Sequence, residues 1–155
     1  MGNRTESNWA SVAEYGPGYA MWTALAIPVD NLLLMINSRL TSLERTVLRA
    51  ICEMYPSDRA ALENQLSAAV IGRRQNTGAG FYTDFEVPSV QSALSGERMR
   101  TGPNAKIDGL EHGMGFILWL HCGYVTTLEG YSFGEDTSSI DFEAVGCQIN
   151  SSLQF

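Results

Sequence analysis

The chain has 155 residues, 45% apolar and 17% charged, with 10 Lys and Arg against 17 Asp and Glu for a net charge of −7. That length gives one compact domain, with or without an appended arm, and the apolar share excludes intrinsic disorder. The acidic balance excludes general binding to nucleic acid or to anionic membranes, which require a basic footprint.

Residues 1–29 read as an aromatic-rich N-terminal arm. Met1-Gly2-Asn3-Arg4-Thr5-Glu6 has the glycine that myristoylation needs, but Glu6 stands where Ser or Thr is wanted. Asn3-Arg4-Thr5 and Asn150-Ser151-Ser152 fit the glycosylation sequon, which matters only in a secreted chain. Tyr15-Gly16-Pro17-Gly18-Tyr19 is turn chemistry, and Ile27-Pro28-Val29 reads as extended. Trp9, Tyr15, Tyr19 and Trp22 are too many aromatics to leave solvated. The arm is therefore expected to pack on its own domain or across a two-fold homodimer interface, with a sheet edge as the other route to self-association. The apolar run from Ala20 to Ile36 is broken by Pro28, Asp30 and Asn31 before it reaches the ~20 residues a bilayer requires. Glu6 and Glu14 before it are not the basic lead of a secretory signal. A cytoplasmic protein without a membrane segment is expected.

Residues 30–135 carry the domain. Asp30 can cap a short helix through Leu32, Leu33 and Ile36. Thr41-Ser42-Leu43-Glu44 matches a capping box, and Leu43, Val47, Leu48, Ile51 and Tyr55 follow at helical spacing. Glu44, Arg45, Arg49 and Glu53 fall outside that stripe. Pro56 closes this helix, and Ser57 is the expected cap of the next, whose inner face carries Ala61, Leu62, Leu66 and Ala69. At Val70 the period changes. Val70 to Arg74 and Gly80 to Val87 read as two strands around a glycine-containing loop. In the second, Phe81, Thr83, Phe85 and Val87 share one face, and Tyr82, Asp84 and Glu86 the other. Pro88 ends it.

Residues 89–104 look like a long polar connection and Ala105 to Glu111 like a strand. Gly115 to Leu120 is apolar on both faces, so Phe116, Leu118, Trp119 and Leu120 are all expected to be buried in a central strand. Cys122-Gly123 suits a two-residue hairpin loop into Val125 to Tyr131. That register sets Leu120 against Val125, Leu118 against Thr127 and Phe116 against Glu129, with His121 beside Tyr124. Residues 136–155 form a C-terminal extension with a weak strand at Ile140 to Val145. The sum is an α+β fold: N-terminal helices on one face of a mostly antiparallel, four- or five-stranded sheet.

Chemistry-bearing residues are few. Gly78-Ala79-Gly80 lacks the Lys and the following helix of a phosphate loop and reads as a hairpin turn. The only histidines, His112 and His121, lack metal-ligand spacing, and Glu111-His112 reads as a solvated turn pair. The three cysteines, Cys52, Cys122 and Cys147, form neither a close pair nor an even set, which fits a reducing compartment with no disulfide or zinc. Cys52 reads as a core residue. Cys122 beside His121 lacks the orienting acid and oxyanion turn of a nucleophile. Arg73-Arg74 and Arg98 with Arg100 are too few for a nucleic-acid track. No catalytic set, metal site or cofactor is expected. The carboxylates remain: Asp84 and Glu86 project on one side of their strand with Tyr82. Glu129 is placed among Phe116, Leu118 and Tyr131, where it either gains acid–base character or hydrogen-bonds Tyr82 or a backbone amide.

Three segments resemble, as a group, a family of small uncharacterised bacterial proteins. They are Thr77-Gly-Ala-Gly-Phe-Tyr-Thr-Asp-Phe-Glu-Val-Pro88, His112-Gly-Met-Gly-Phe-Ile-Leu-Trp119 and Leu128-Glu-Gly-Tyr-Ser-Phe-Gly134. Leu40 to Tyr55 also looks like their N-terminal part, so the likeness covers about residues 30–135. It implies an intact α+β domain and an association with mobile or accessory DNA, and it transfers no activity. The expected function is a non-catalytic, acidic protein-interaction module, immunity-like in its most specific form. The competing reading is a small-molecule site or small hydrolase on the face bearing Tyr82, Asp84, Glu86 and Glu129.

Overall fold

A computed structural model describes residues 39–150. The N-terminal arm with Trp9, Tyr15, Tyr19 and Trp22, the short helix from Asp30 and the last five residues lie outside the described residues. Two helices, α1 (Ser42–Met54) and α2 (Arg59–Ala68), precede a six-stranded sheet. Its strands are β1 (Val70–Asn76), β2 (Gly80–Glu86), β3 (Met99–Ile107), β4 (Met114–His121), β5 (Tyr124–Ser132) and β6 (Cys147–Ile149). The spatial order is β1-β2-β5-β4-β3-β6, and every pairing is antiparallel. The α+β class stands, with six strands in place of the four or five expected.

Helix α1 starts where its capping box places it. The Glu44 amide donates to Thr41 Oγ1 at 3.1 Å, and the Thr41 amide donates to Glu44 Oε2 at 2.8 Å. Leu43, Val47, Leu48, Ile51 and Cys52 are buried, in one core with Phe81, Phe85, Phe116, Leu118 and Leu128 of the sheet. Glu44 departs from its expected solvent position and is buried beneath β1. A carboxylate there is tolerated because Arg74 Nε and Thr83 Oγ1 both donate to Glu44 Oε1 at 2.7 Å. The second helix does not use Ser57 as its cap. Asp58 takes that position without a capping bond, because its carboxylate accepts from Arg100 Nε at 2.8 Å instead. On α2, Leu62 and Gln65 are buried, whereas Ala61, Leu66 and Ala69 are only half-buried. Gln65 is satisfied by the Ser92 and Gly123 carbonyls and the Val125 amide, which ties α2 to the β4–β5 turn.

Three strand expectations need correction. Residues 99–104 belong to β3 rather than to a connection. Pro103 lies where the β3–β4 register shifts, a site that forgives its missing N–H. A Cβ on Gly102 would come within 3.1 Å of Ile51 and Phe116, so glycine lets α1 approach the strand. The sixth strand is Cys147–Ile149; Ile140 to Val145 instead makes turns, with Ile140 N donating to Thr137 O and Val145 N to Asp141 O. The loop is held by Asn76, whose side-chain amide donates to the Thr137 and Ile140 carbonyls at 2.7 and 3.1 Å.

The β4–β5 hairpin turns at Cys122 and Gly123, with φ of 51° and 82°, the pair of positive values a two-residue primed turn requires. Leu120 faces Val125 and His121 faces Tyr124 as expected. Beyond them the register shifts: Trp119 faces Thr127, Leu118 faces Leu128, and Phe116 faces Gly130 rather than Glu129. Thr126 is the extra residue, and its hydroxyl donates to the Trp119 carbonyl at 3.3 Å. A bulge of one residue inverts the faces of everything after it. It turns Leu128 into the core and Glu129 out of it.

The cap supports a direct test. Thr41→Ala should lower unfolding free energy by about 0.5–2 kcal/mol, measured by urea denaturation. An unchanged midpoint would mean that the box does not hold the helix start.

Candidate functional site

The helices cover one face of the sheet, and the site lies on the other. Strand alternation puts Tyr82 and Asp84 of β2 on this outer face, and the bulge brings Thr127 and Glu129 of β5 to the same side. On β4, Phe116, Leu118 and Leu120 point into the core, so Ile117 and Trp119 point out. Two cross-strand rows result: Tyr82, Glu129, Ile117 and Thr101 in one, and Asp84, Thr127, Trp119 and Met99 in the next. Met99 is 38% exposed, Tyr82 37% and Trp119 36%, so three large side chains are half open to solvent at the middle of the sheet. The burial expected of Trp119 is therefore corrected; that of Phe116, Leu118 and Leu120 holds.

Glu129 is the centre of the arrangement. Tyr82 Oη donates to its Oε1 at 3.1 Å, and Trp119 Nε1 donates to its Oε2 at 2.7 Å. The carboxylate is thus gripped between two aromatic residues, not set among Phe116 and Leu118 as the unbulged register implies. The hydrogen bond to Glu129, then the charge of that group, and lastly partial burial hold the Tyr82 hydroxyl above its ordinary pKa. Asp84 accepts from Thr127 Oγ1 at 3.1 Å and has Arg73 Nε at 3.7 Å from its Oδ2. Glu86 stands apart, exposed and opposite Val70 on the edge strand. Of the four site residues the sequence suggests, Tyr82 and Glu129 touch, Asp84 lies one row away, and Glu86 is outside the cluster. Trp119 and Met99 were missed. The signal available for Trp119 was its alternation with Phe116, Leu118 and Leu120, obscured because Ile117 makes both faces of β4 apolar.

Chemically, the face presents a fixed negative charge between two aromatic rings. Both Glu129 oxygens accept from neutral donors and keep lone pairs for a further partner. That suits a positioned acceptor better than a proton shuttle, which needs a free proton position. Two cavities, of about 390 and 400 Å³, open elsewhere: one is lined by Leu48, Cys52 and Leu66 of the helices, the other by Arg98, His121 and Cys122. Neither includes Glu129 or Trp119. The exposed Cys122 lies in the β4–β5 turn, and the exposed His121 precedes it at the end of β4. The Glu111 and His112 amides donate to the Glu135 carboxylate at 2.7 and 2.8 Å, which anchors that loop. Among the described residues, no group of three or more His, Cys, Asp or Glu side chains converges on a metal-sized space. No helix among them is long and apolar enough to cross a membrane.

Fold and face together define a class: an α+β protein with helices on one side of an antiparallel sheet and an exposed aromatic–carboxylate cluster on the other. No family model matches the chain, and neither does any curated protein or solved structure.

Proposed function

We propose that this chain is a non-catalytic protein-interaction module that docks a basic protein partner on its outer sheet face. The observation that carries the reading is Glu129 gripped between the half-exposed Tyr82 and Trp119 at the sheet centre. Tyr and Trp are the side chains that most often anchor interfaces, because they bury large areas at little entropic cost. Pre-fixing the carboxylate removes part of the ordering cost that binding would otherwise incur. Charge selects the partner. Asp84, Glu86 and Glu129 would face like charges across a two-fold axis, so this face suits a basic surface better than a second copy. An immunity-like role, masking a basic surface of another protein, is the specific form of this reading. A small-molecule or hydrolytic site is less well supported, because ligand sites are concave and the cavities of about 390 and 400 Å³ include neither Glu129 nor Trp119.

The test is retention of a partner by the immobilised full chain from extracts of the source cell. The partner should elute at raised salt, and Tyr82→Ala with Trp119→Ala should weaken its binding by about 30-fold or more, the scale of an interface hot spot. Arg49→Ala, on the helical side, should change nothing. Equal retention by the double variant, with its circular dichroism unchanged, would sink the docking reading.

A further inference from the structure

We infer that the group this face recognises is a guanidinium, an arginine side chain of the partner laid over Trp119 or Tyr82 and paired with Glu129 and Asp84. The inference rests on the docking reading above and adds the chemistry of the contact. Arginine combines a planar fork of donors, matched to a carboxylate, with a weakly hydrated flat cation that stacks on aromatic faces. Lysine supplies a point charge without the fork. The cluster offers both complements within one pair of rows: the carboxylate of Glu129, whose two bonds come from neutral donors, and the rings of the donors themselves. Met99 and Ile117 beside them give the aliphatic stem of an arginine an apolar track.

The molecule already presents such a cation to this face. Arg73 reaches over from the edge strand, and its Nε lies 3.7 Å from Asp84 Oδ2 with the side chain 71% exposed. That separation is too long for a hydrogen bond, and an exposed pair of this kind is worth little. A partner's arginine can therefore displace it at small cost. Arg74, the next residue, differs: it is committed to the buried Glu44 at 2.7 Å and is not available to this face. The outer carboxylates are thus the ones open to a foreign guanidinium.

Hexa-arginine and hexa-lysine peptides, equal in charge, provide the probe. Each is titrated into the full-length chain and followed by the Trp119 indole N–H resonance, assigned by its disappearance in Trp119→Phe. Binding of the partner's arginine by fork and ring predicts that hexa-arginine binds about tenfold more tightly than hexa-lysine. Glu129→Gln, and separately Asp84→Asn, should shrink that preference, read from tryptophan fluorescence and heat. Trp119→Ala should abolish it and leave the weak, salt-sensitive attraction that any acidic chain has for a polycation. Equal affinities for the two peptides in the wild type would overturn the inference, as would a preference that survives both Glu129→Gln and Trp119→Ala. The two proposals separate cleanly. Partner retention that depends on Trp119 without arginine preference would remove the guanidinium and keep the docking face; arginine preference without partner retention would do the reverse.

Discussion

Gly80→Ala should cost about 4 kcal/mol or more and leave little folded protein, a size of effect confined to a few mechanisms such as backbone strain and collision in the core. Gly80 begins β2 with φ of +147°, a region that side chains with a Cβ scarcely enter. A Cβ there would also fall onto the carbonyl oxygen of Gly130 on β5; the methyl group is fixed to the β2 backbone, and the group it meets is backbone itself. Neither can turn away without opening the β2–β5 ladder, which carries Tyr82 and Glu129. Gly96→Ala is the matched control. It also has a positive φ, +92°, but no atom lies within 4 Å of the added methyl group. Strain alone should then cost about 1–2 kcal/mol. Thermal and urea unfolding of the two variants, side by side, measure the difference. A Gly80→Ala protein as stable as Gly96→Ala would show that β2 and β5 are not in this close approach.

Glu44→Ala should destabilise the protein by about 3 kcal/mol, the low end for breaking a buried ion pair, because Arg74 remains partly exposed and can rehydrate. The carboxylate is 2% exposed and accepts from four groups: the Thr41 amide, Thr83 Oγ1, and Arg74 Nε and Nη2. Its removal leaves a buried hydroxyl and a helix-start amide without their acceptor, and leaves the Arg74 guanidinium only its bond to the Arg39 carbonyl. Burial by itself raises the Glu44 pKa, but the bonds from Arg74, Thr41 and Thr83 and the Arg74 charge outweigh it, and the net value lies below 4.5. A carboxyl depressed in the folded state stabilises fully above its unfolded pKa, and that contribution disappears as pH falls through the folded value. The stability gap between wild type and Glu44→Gln should therefore be widest near neutral pH and should narrow in acid, below about pH 4.5. Urea midpoints at several pH values give the answer. A gap that stays constant into strong acid would mean that the carboxylate charge has no part in holding α1 on the sheet.

Local chemistry made much of the fold legible. The Thr41–Glu44 box, the stripe from Leu43 to Ile51, the alternation of Phe81, Thr83 and Phe85, and the Cys122-Gly123 turn are each written within a few residues. Such signals depend only on helical or strand period and on turn dihedrals, so they survive in any tertiary setting. Tyr82 and Asp84 were assigned to an open face for the same reason. What decided the site was non-local. Thr126 is an ordinary residue in a strand-like run, and only pairing with β4 makes it the bulge that turns Glu129 outward. Trp119 lies in a run apolar on both faces, so its exposure followed from which face the helices covered. Glu44 looked like a surface residue of a helix, because Arg74 and Thr83, which make its burial tolerable, stand 30 and 39 positions away. Ser57 reads as the cap of the second helix, but Asp58 takes that position and its carboxylate goes to Arg100, 42 residues on. Period and turn are properties of neighbours in the chain, and the sequence by itself determined them. Face, bulge and buried charge are properties of neighbours in space, and only the tertiary structure could decide them.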